Sequence, residues 1–104
     1  MASPYSDPLT IQAADVLTPA ASSGSLTDMG LTINPRLYAL LLSASASGVT
    51  FNYNAAATSS TSPVPTTYTL RLDCSATDAA LLQFIGNASK TLNVVQLCVR
   101  VPGQ

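Results

Sequence analysis

Two separated stretches of this chain alternate strictly between apolar and polar positions, and that pattern limits what the chain can fold into. In residues 68–74, Tyr68, Leu70, Leu72 and Cys74 fall on one face, with Thr69, Arg71 and Asp73 on the other. In residues 92–101, Val95, Leu97, Val99 and Val101 share a face opposite Val94, Gln96, Cys98 and Arg100, and Pro102 stops the run. Side chains alternate sides along an extended strand, so both stretches are expected to be strands that turn one face to a core. The proline ends the second run because it has no N–H to give to a strand ladder. The expected core includes Leu70, Leu72, Val95, Leu97 and Val99.

Weaker patterns fill the rest of the chain. Leu9, Ile11 and Ala13 alternate with Thr10, Gln12 and Ala14, giving a strand that Thr18 and Pro19 close. Leu26 and then Leu31, Thr32 and Ile33 suggest another strand, interrupted at Gly30 and ended by Asn34 and Pro35. Residues 37–47 fit helical spacing through Leu37, Leu40 and Leu41, and strand spacing through Tyr38, Leu40, Leu42, Ala44 and Ala46. The Asn-Pro start, the lack of helix-favouring charges and the continuation through Val49, Phe51 and Tyr53 favour strands, with a hairpin turning or bulging at Gly48. Thr77 as N-cap, Asp78 in the first turn, the stripe Ala80, Leu81, Phe84 and Ile85, and Gly86 at the C′ position predict a short helix over residues 78–85. About six strands and one short helix predict an all-β fold, an antiparallel β-sandwich or barrel, with a jelly roll among the possible arrangements.

With 104 residues and no interior linker, the chain is expected to form one β domain, residues 9–104, preceded by an extended N-terminal arm, residues 1–8. Pro4 and Pro8 favour an extended or turning backbone there, and Tyr5 between them has no core of its own to join. Residues 55–67 contain Ser59, Ser60, Pro63 and Pro65 and few large apolar side chains, so they are expected to form an exposed loop with polyproline character near its end. A loop this long in so small a domain suits contact with a partner. Pro4, Tyr5, Pro8, Ser59, Ser60, Pro63 and Pro65 are the expected partner-contact residues.

Composition then narrows the function. Only 9% of residues are charged, the net charge is −1, and the four cations Arg36, Arg71, Lys90 and Arg100 are scattered. Binding nucleic acid requires clustered cations, so no nucleic-acid partner is expected. Soluble domains usually carry about 25% charged residues, and the shortage implies that much of this surface faces other protein. There is no histidine, and neither a GxSxG nor an SxxK spacing to build a nucleophile–base pair, so an enzyme is not expected. Asp73 and Asp78 read as a solvated strand residue and a helix-dipole partner. Two cysteines without histidine cannot make a zinc site, and no cofactor is expected. Cys74 and Cys98 read either as small buried hydrophobes or as a disulfide closing the residues between them. Asn87, Ala88 and Ser89 match a glycosylation sequon, which reads as coincidence because residues 1–10 have no basic region or long apolar run of a secretory leader. The longest apolar run, residues 37–42, is far too short to cross a bilayer, so no membrane partner is expected.

An Ala/Ser/Thr/Leu-rich, charge-poor chain with the segments MASPYSDPLTIQAADVLTP and AAATSSTSPVPTT resembles the small virion proteins of tailed bacteriophages, most closely the decoration or cement proteins of icosahedral heads. That resemblance implies a non-enzymatic structural component of the virion, assembled in the host cytoplasm. It implies binding to the major capsid protein at symmetry axes of the shell, often as a trimer of its own copies, and bridging of capsomers. The competing expectation is a carbohydrate-binding or adhesion module of a tail fibre or surface structure. That reading calls for clustered aromatics in loops, and the chain has no Trp and two Phe.

Overall fold

A computed structural model describes residues 9–11 and 14–99. The expected arm with Pro4, Tyr5 and Pro8 lies outside these residues, as do Arg100 and Val101. The described elements are β1 (Leu9–Ile11), β2 (Asp15–Leu17), β3 (Gly24–Ser25), β4 (Leu37–Ala44), β5 (Thr50–Tyr53), β6 (Ser62–Pro63), β7 (Leu70–Asp73), α1 (Ala76–Ala79), β8 (Leu82–Ile85) and β9 (Leu92–Val99). Segments β1 and β2 run along the same edge of β9, with the register stepping by one residue between Ile11 opposite Leu97 and Asp15 opposite Val94. Both occupy the same position in the sheet, beside β9.

Counted that way, the first strand pairs with the last (β9), β3 with β8, β4 with β7 and β5 with β6, all antiparallel. The chain is thus a long ribbon folded back on itself between β5 and β6. The ribbon wraps so that β9 also meets β4 and β8 also meets β5. Sheet I has the order β1/β2, β9, β4, β7, and sheet II the order β3, β8, β5, β6. This is the strand order of a jelly roll, one of the expected arrangements. Both sheets keep open edges, so the fold is a sandwich and not a closed barrel.

Leu26, Leu40, Leu42, Val49, Phe84, Leu92 and Val94 are fully buried between the sheets. Phe84 of sheet II meets Phe51 at 5.9 Å between ring centroids, in a tilted pair. Burying each such large side chain stabilises the fold by about 1.5–3 kcal/mol before chain entropy is counted.

Five local expectations are corrected. First, β9 is a strand as expected but in the opposite phase: Leu92, Val94, Gln96 and Cys98 point inward, and Val95, Leu97 and Val99 lie on the other side, where Leu97 is still buried as expected while Val95 is half-buried and Val99 exposed. Across from them β4 presents Ala44, Leu42, Leu40 and Leu37 to the core. Gln96 tolerates the inward position because Asn34 N–H donates to its Oε1 at 2.8 Å and its Nε2 donates to the Thr32 carbonyl at 3.1 Å. Leu70 and Leu72 do pack against the core, half-buried.

Second, β4 and β5 are not a hairpin, since β4 is flanked by β9 and β7 and has no free edge left for β5. The chain crosses instead to sheet II through Gly48 at φ +103°, a conformation that glycine adopts without steric cost. Third, the helix is a single turn: Ser75 is its N-cap, with Oγ accepting from Asp78 N–H at 3.3 Å, and residues 82–85 are strand β8. Ladder partners on both sides of β8 outweigh the weak preference of so short a helix, and Leu82 and Phe84 then both reach the core.

Fourth, residues 26–30 form a turn and residues 31–33 an irregular segment, not a strand. Ser25 N–H donates to Asp28 Oδ2 at 3.0 Å and Asp28 N–H returns a bond to Ser25 Oγ at 3.1 Å, while Leu26 and Leu31 drop into the core. Fifth, Tyr68 stands before β7 and is exposed instead of continuing its inward face.

Candidate functional site

The phase of β9 builds a surface on the outer side of sheet I. Directly paired residues of antiparallel strands share a face. One outward row of sheet I therefore holds Ile11, Leu97, Ala39 and Asp73; the next holds Val95, Leu41 and Arg71; a third holds Val16, Asn93 and Ser43. Ile11 is 73% exposed and Val99 45% exposed, whereas Leu97 and Ala39 are buried within the chain and Leu41 and Val95 are half-buried. Four of the six exposed large apolar side chains among the described residues, Ile11, Val16, Tyr38 and Val99, lie on this face. Its β7 border is polar: Arg71 Nε meets Asp73 Oδ1 at 2.7 Å, and the guanidinium lies 5.8 Å from the centre of the Tyr38 ring. That ion pair is exposed and adds little to stability.

The outer face of sheet II is dressed differently, by the chain's own loop. Thr50 Oγ1 donates to the Thr58 carbonyl at 2.6 Å, Asn52 Nδ2 to the Ala56 carbonyl at 3.2 Å, and Ala57 N–H to Ser23 Oγ at 2.9 Å. Ala57 is buried beneath these bonds. The 55–67 segment, expected as an exposed loop with polyproline character, is thus held down by its own domain. It also supplies edge strand β6, and Val64 plugs the core. Ser59 and Ser60 remain exposed at a turn closed by Thr61 N–H and the Thr58 carbonyl. Pro63 and Pro65 line a groove of about 300 Å³ together with Gly48 and Tyr68. The structure therefore brings Pro63 and Pro65 together beside an exposed tyrosine and leaves Ser59 and Ser60 apart from them.

A third feature is a cleft of about 340 Å³ at one end of the sandwich, lined by Phe51, Tyr53, Leu72, Cys74, Leu82, Asp73 and Asp78. Both aspartates reach it, but each already has a partner: Arg71 for Asp73, and for Asp78 the Tyr53 hydroxyl, which donates to Oδ1 at 2.9 Å. That bond to Asp78 holds the Tyr53 phenol above its ordinary range. Burial, with the Asp78 and Asp73 charges adding, pushes the Cys74 thiol up, and burial does the same to Cys98. Cys74 and Cys98 are not joined in a disulfide, so that alternative does not hold. Thiols kept protonated in this way are poor nucleophiles. Among the described residues no group of three metal-ligating side chains converges, and no helix is long and apolar enough to cross a membrane.

The apolar outer face could have been found in the sequence from one signal. Strands β4 and β9 carry apolar residues in both phases, Leu41 beside Leu40 and Leu42, and Val95 and Leu97 beside Val94 and Cys98. Near-continuous apolar strands are characteristic of sheets covered on both faces. No protein-family model matches the chain, and no curated protein or solved structure is significantly similar to it.

Proposed function

We propose that this protein is a non-enzymatic assembly subunit, a decoration or cement protein that binds the major capsid protein of a virion shell and acts with other copies of itself. The observation that carries this reading is the outward face of sheet I, where Ile11, Val16, Tyr38 and Val99 are exposed on a chain with 9% charged residues. Apolar and hydroxyl-bearing surface is buried against protein with little desolvation cost, and weak contacts repeated over a symmetric shell multiply into firm retention. Jelly rolls serve in viral capsids and also in lectins, so the fold agrees with the reading without selecting it. The test is to prepare particles lacking this protein and challenge them with heat or a chelator. Earlier rupture, reversed by adding the purified protein, supports the role; unchanged stability and assembly removes it.

The groove at Pro63, Pro65 and Tyr68 favours a second reading, a carbohydrate-binding or adhesion module, because an exposed aromatic beside a groove can stack on a sugar ring. Retention on immobilised glycans, abolished by Tyr68→Ala, would move the assignment there.

A further inference from the structure

We propose that the cleft between β5 and β7 is a binding site for small amphipathic amines, with an apolar body seated against Phe51, Leu72 and Leu82 and an ammonium group at Asp78. The cleft follows from the lengths of the strands. Strand β6 runs beside Thr50 and Phe51 and stops short of Tyr53, while β7 is the end strand of sheet I. The two sheets are therefore not sealed against each other here, and a space of about 340 Å³ opens between them. Ligand pockets start at about this size. Register puts core-type side chains on its walls: Phe51 and Tyr53 of β5 share the inner face of sheet II with Phe84 and Leu82 of β8. From sheet I, Leu72 and Cys74 pack against the same core, yet they and Phe51 are only half-buried. An apolar body placed there gains burial against surface that the chain itself leaves partly wet.

The charge at the mouth selects a cation. Helix α1 carries Asp78 to the cleft, and the Tyr53 hydroxyl fixes its carboxylate by donating to Oδ1 at 2.9 Å. That partner is neutral, so the bond orients the carboxylate without cancelling its charge, and it uses one of about four acceptor positions. Two other groups register the negative field. The bond to Asp78 raises the Tyr53 phenol, and burial followed by the charges of Asp78 and Asp73 raises the Cys74 thiol. Both therefore stay neutral at neutral pH and add no charge of their own. The Tyr53 ring, 52% exposed at the same mouth, offers its face to an ammonium group. An apolar anion meets the same walls but is repelled at Asp78, and a neutral apolar compound gains nothing from it.

This site is independent of the assembly role proposed above, and titration of the purified chain tests it with four probes: n-hexylammonium, n-hexanol, hexanoate and methylammonium. Two-dimensional NMR is expected to show n-hexylammonium shifting the amides of Phe51, Tyr53, Leu72, Cys74 and Leu82. Hexanol, which has the same body without the charge, is expected to bind about three- to tenfold more weakly, and hexanoate and methylammonium more weakly still. Asp78→Asn keeps an oxygen to accept from the Tyr53 hydroxyl but removes the charge. It should bring the affinity for n-hexylammonium down to that for hexanol and leave hexanol unchanged, with an unaltered thermal unfolding midpoint confirming the fold. Hexanol binding the wild-type chain as tightly as n-hexylammonium, shifts that fall outside the cleft, or full retention of n-hexylammonium by folded Asp78→Asn overturns the proposal.

Discussion

Gln96 sits directly opposite Leu40 on the inner face of sheet I, 2% exposed, with its side-chain amide joined to the backbone of Asn34 and Thr32. One polar side chain thus ties the loop ahead of β4 to the middle of the core and holds β9 in its observed phase. Gln96→Ala is expected to destabilise the chain by about 2–4 kcal/mol, because it opens a cavity and strands two backbone groups. Gln96→Leu fills much of the space yet still strands them, for a loss of about 1–3 kcal/mol. Denaturant titration measures both; a stabilised Gln96→Leu would show that the two hydrogen bonds contribute nothing net.

The phase of β9 has its own test in two neighbouring side chains of opposite orientation. Leu92 is fully buried, and Leu92→Ala is expected to cost about 2–5 kcal/mol. Val99 faces outward, so Val99→Ser in the dilute, unassociated chain should stay within about 0.5 kcal/mol of wild type. Equal losses at the two positions would contradict the orientation described above.

The Tyr53 hydroxyl gives stability a pH dependence of defined sign. Its bond to Asp78 raises the phenol's pKa in the folded chain, so the associated stability is complete below the unfolded value of about 10 and is lost as pH rises through the folded value. Wild type should lose more stability than Tyr53→Phe between about pH 9 and 11. Parallel curves for the two proteins in urea titrations would eliminate this bond as a contributor.

Two glycines are required for different reasons. At Gly48 the backbone is at φ +103°, and an added Cβ would also meet the Nζ of Lys90. The lysine end can swing away, so the cost of Gly48→Ala, about 1–3 kcal/mol, is backbone strain and should persist in the Gly48→Ala, Lys90→Ala double variant. At Gly86 a Cβ would lie 2.6 Å from Cγ and 3.0 Å from Cβ of Pro19, a ring that cannot rotate aside. Gly86→Ala is expected to cost about 1–3 kcal/mol through overpacking, and Pro19→Ala in the same chain should relieve part of it. Thermal unfolding distinguishes the two cases by which second substitution rescues.

The loop over sheet II offers a local test of its docking. Thr50→Val keeps the side-chain shape but removes the bond to the Thr58 carbonyl, and limited proteolysis within residues 54–61 should accelerate several-fold while the global unfolding midpoint moves little. A cleavage rate equal to wild type would mean that Ala57 and Val64 anchor the segment without help.

Local pattern alone determined the all-β class, the strands at residues 70–73 and 92–99, a first strand opening at Leu9, and several of the stops, because a two-residue period and the missing N–H of proline are properties of the chain itself. The side of each strand that faces inward is a different matter where both sides are apolar. Val95, Leu97 and Val99 look more like a core than Leu92, Val94, Gln96 and Cys98 do, and only the backbone groups of Thr32 and Asn34, brought from more than sixty residues away, make the glutamine's side the inner one. Residues 82–85 satisfy helix and strand spacing alike, and β3 and β5 on either side decide for strand by offering ladder bonds that a short helix cannot match. Strand β5 joins sheet II for the same kind of reason: both edges of β4 are already taken. The expected contact residues in the 55–67 segment were legible as a polar, proline-bearing stretch, but its hydrogen bonds to Thr50, Asn52 and Ser23 exist only once sheet II has formed. Periodicity belongs to the sequence, whereas phase, sheet membership and the exposed apolar face of sheet I belong to tertiary structure, because each depends on which distant strand occupies a shared edge or can satisfy a buried polar group.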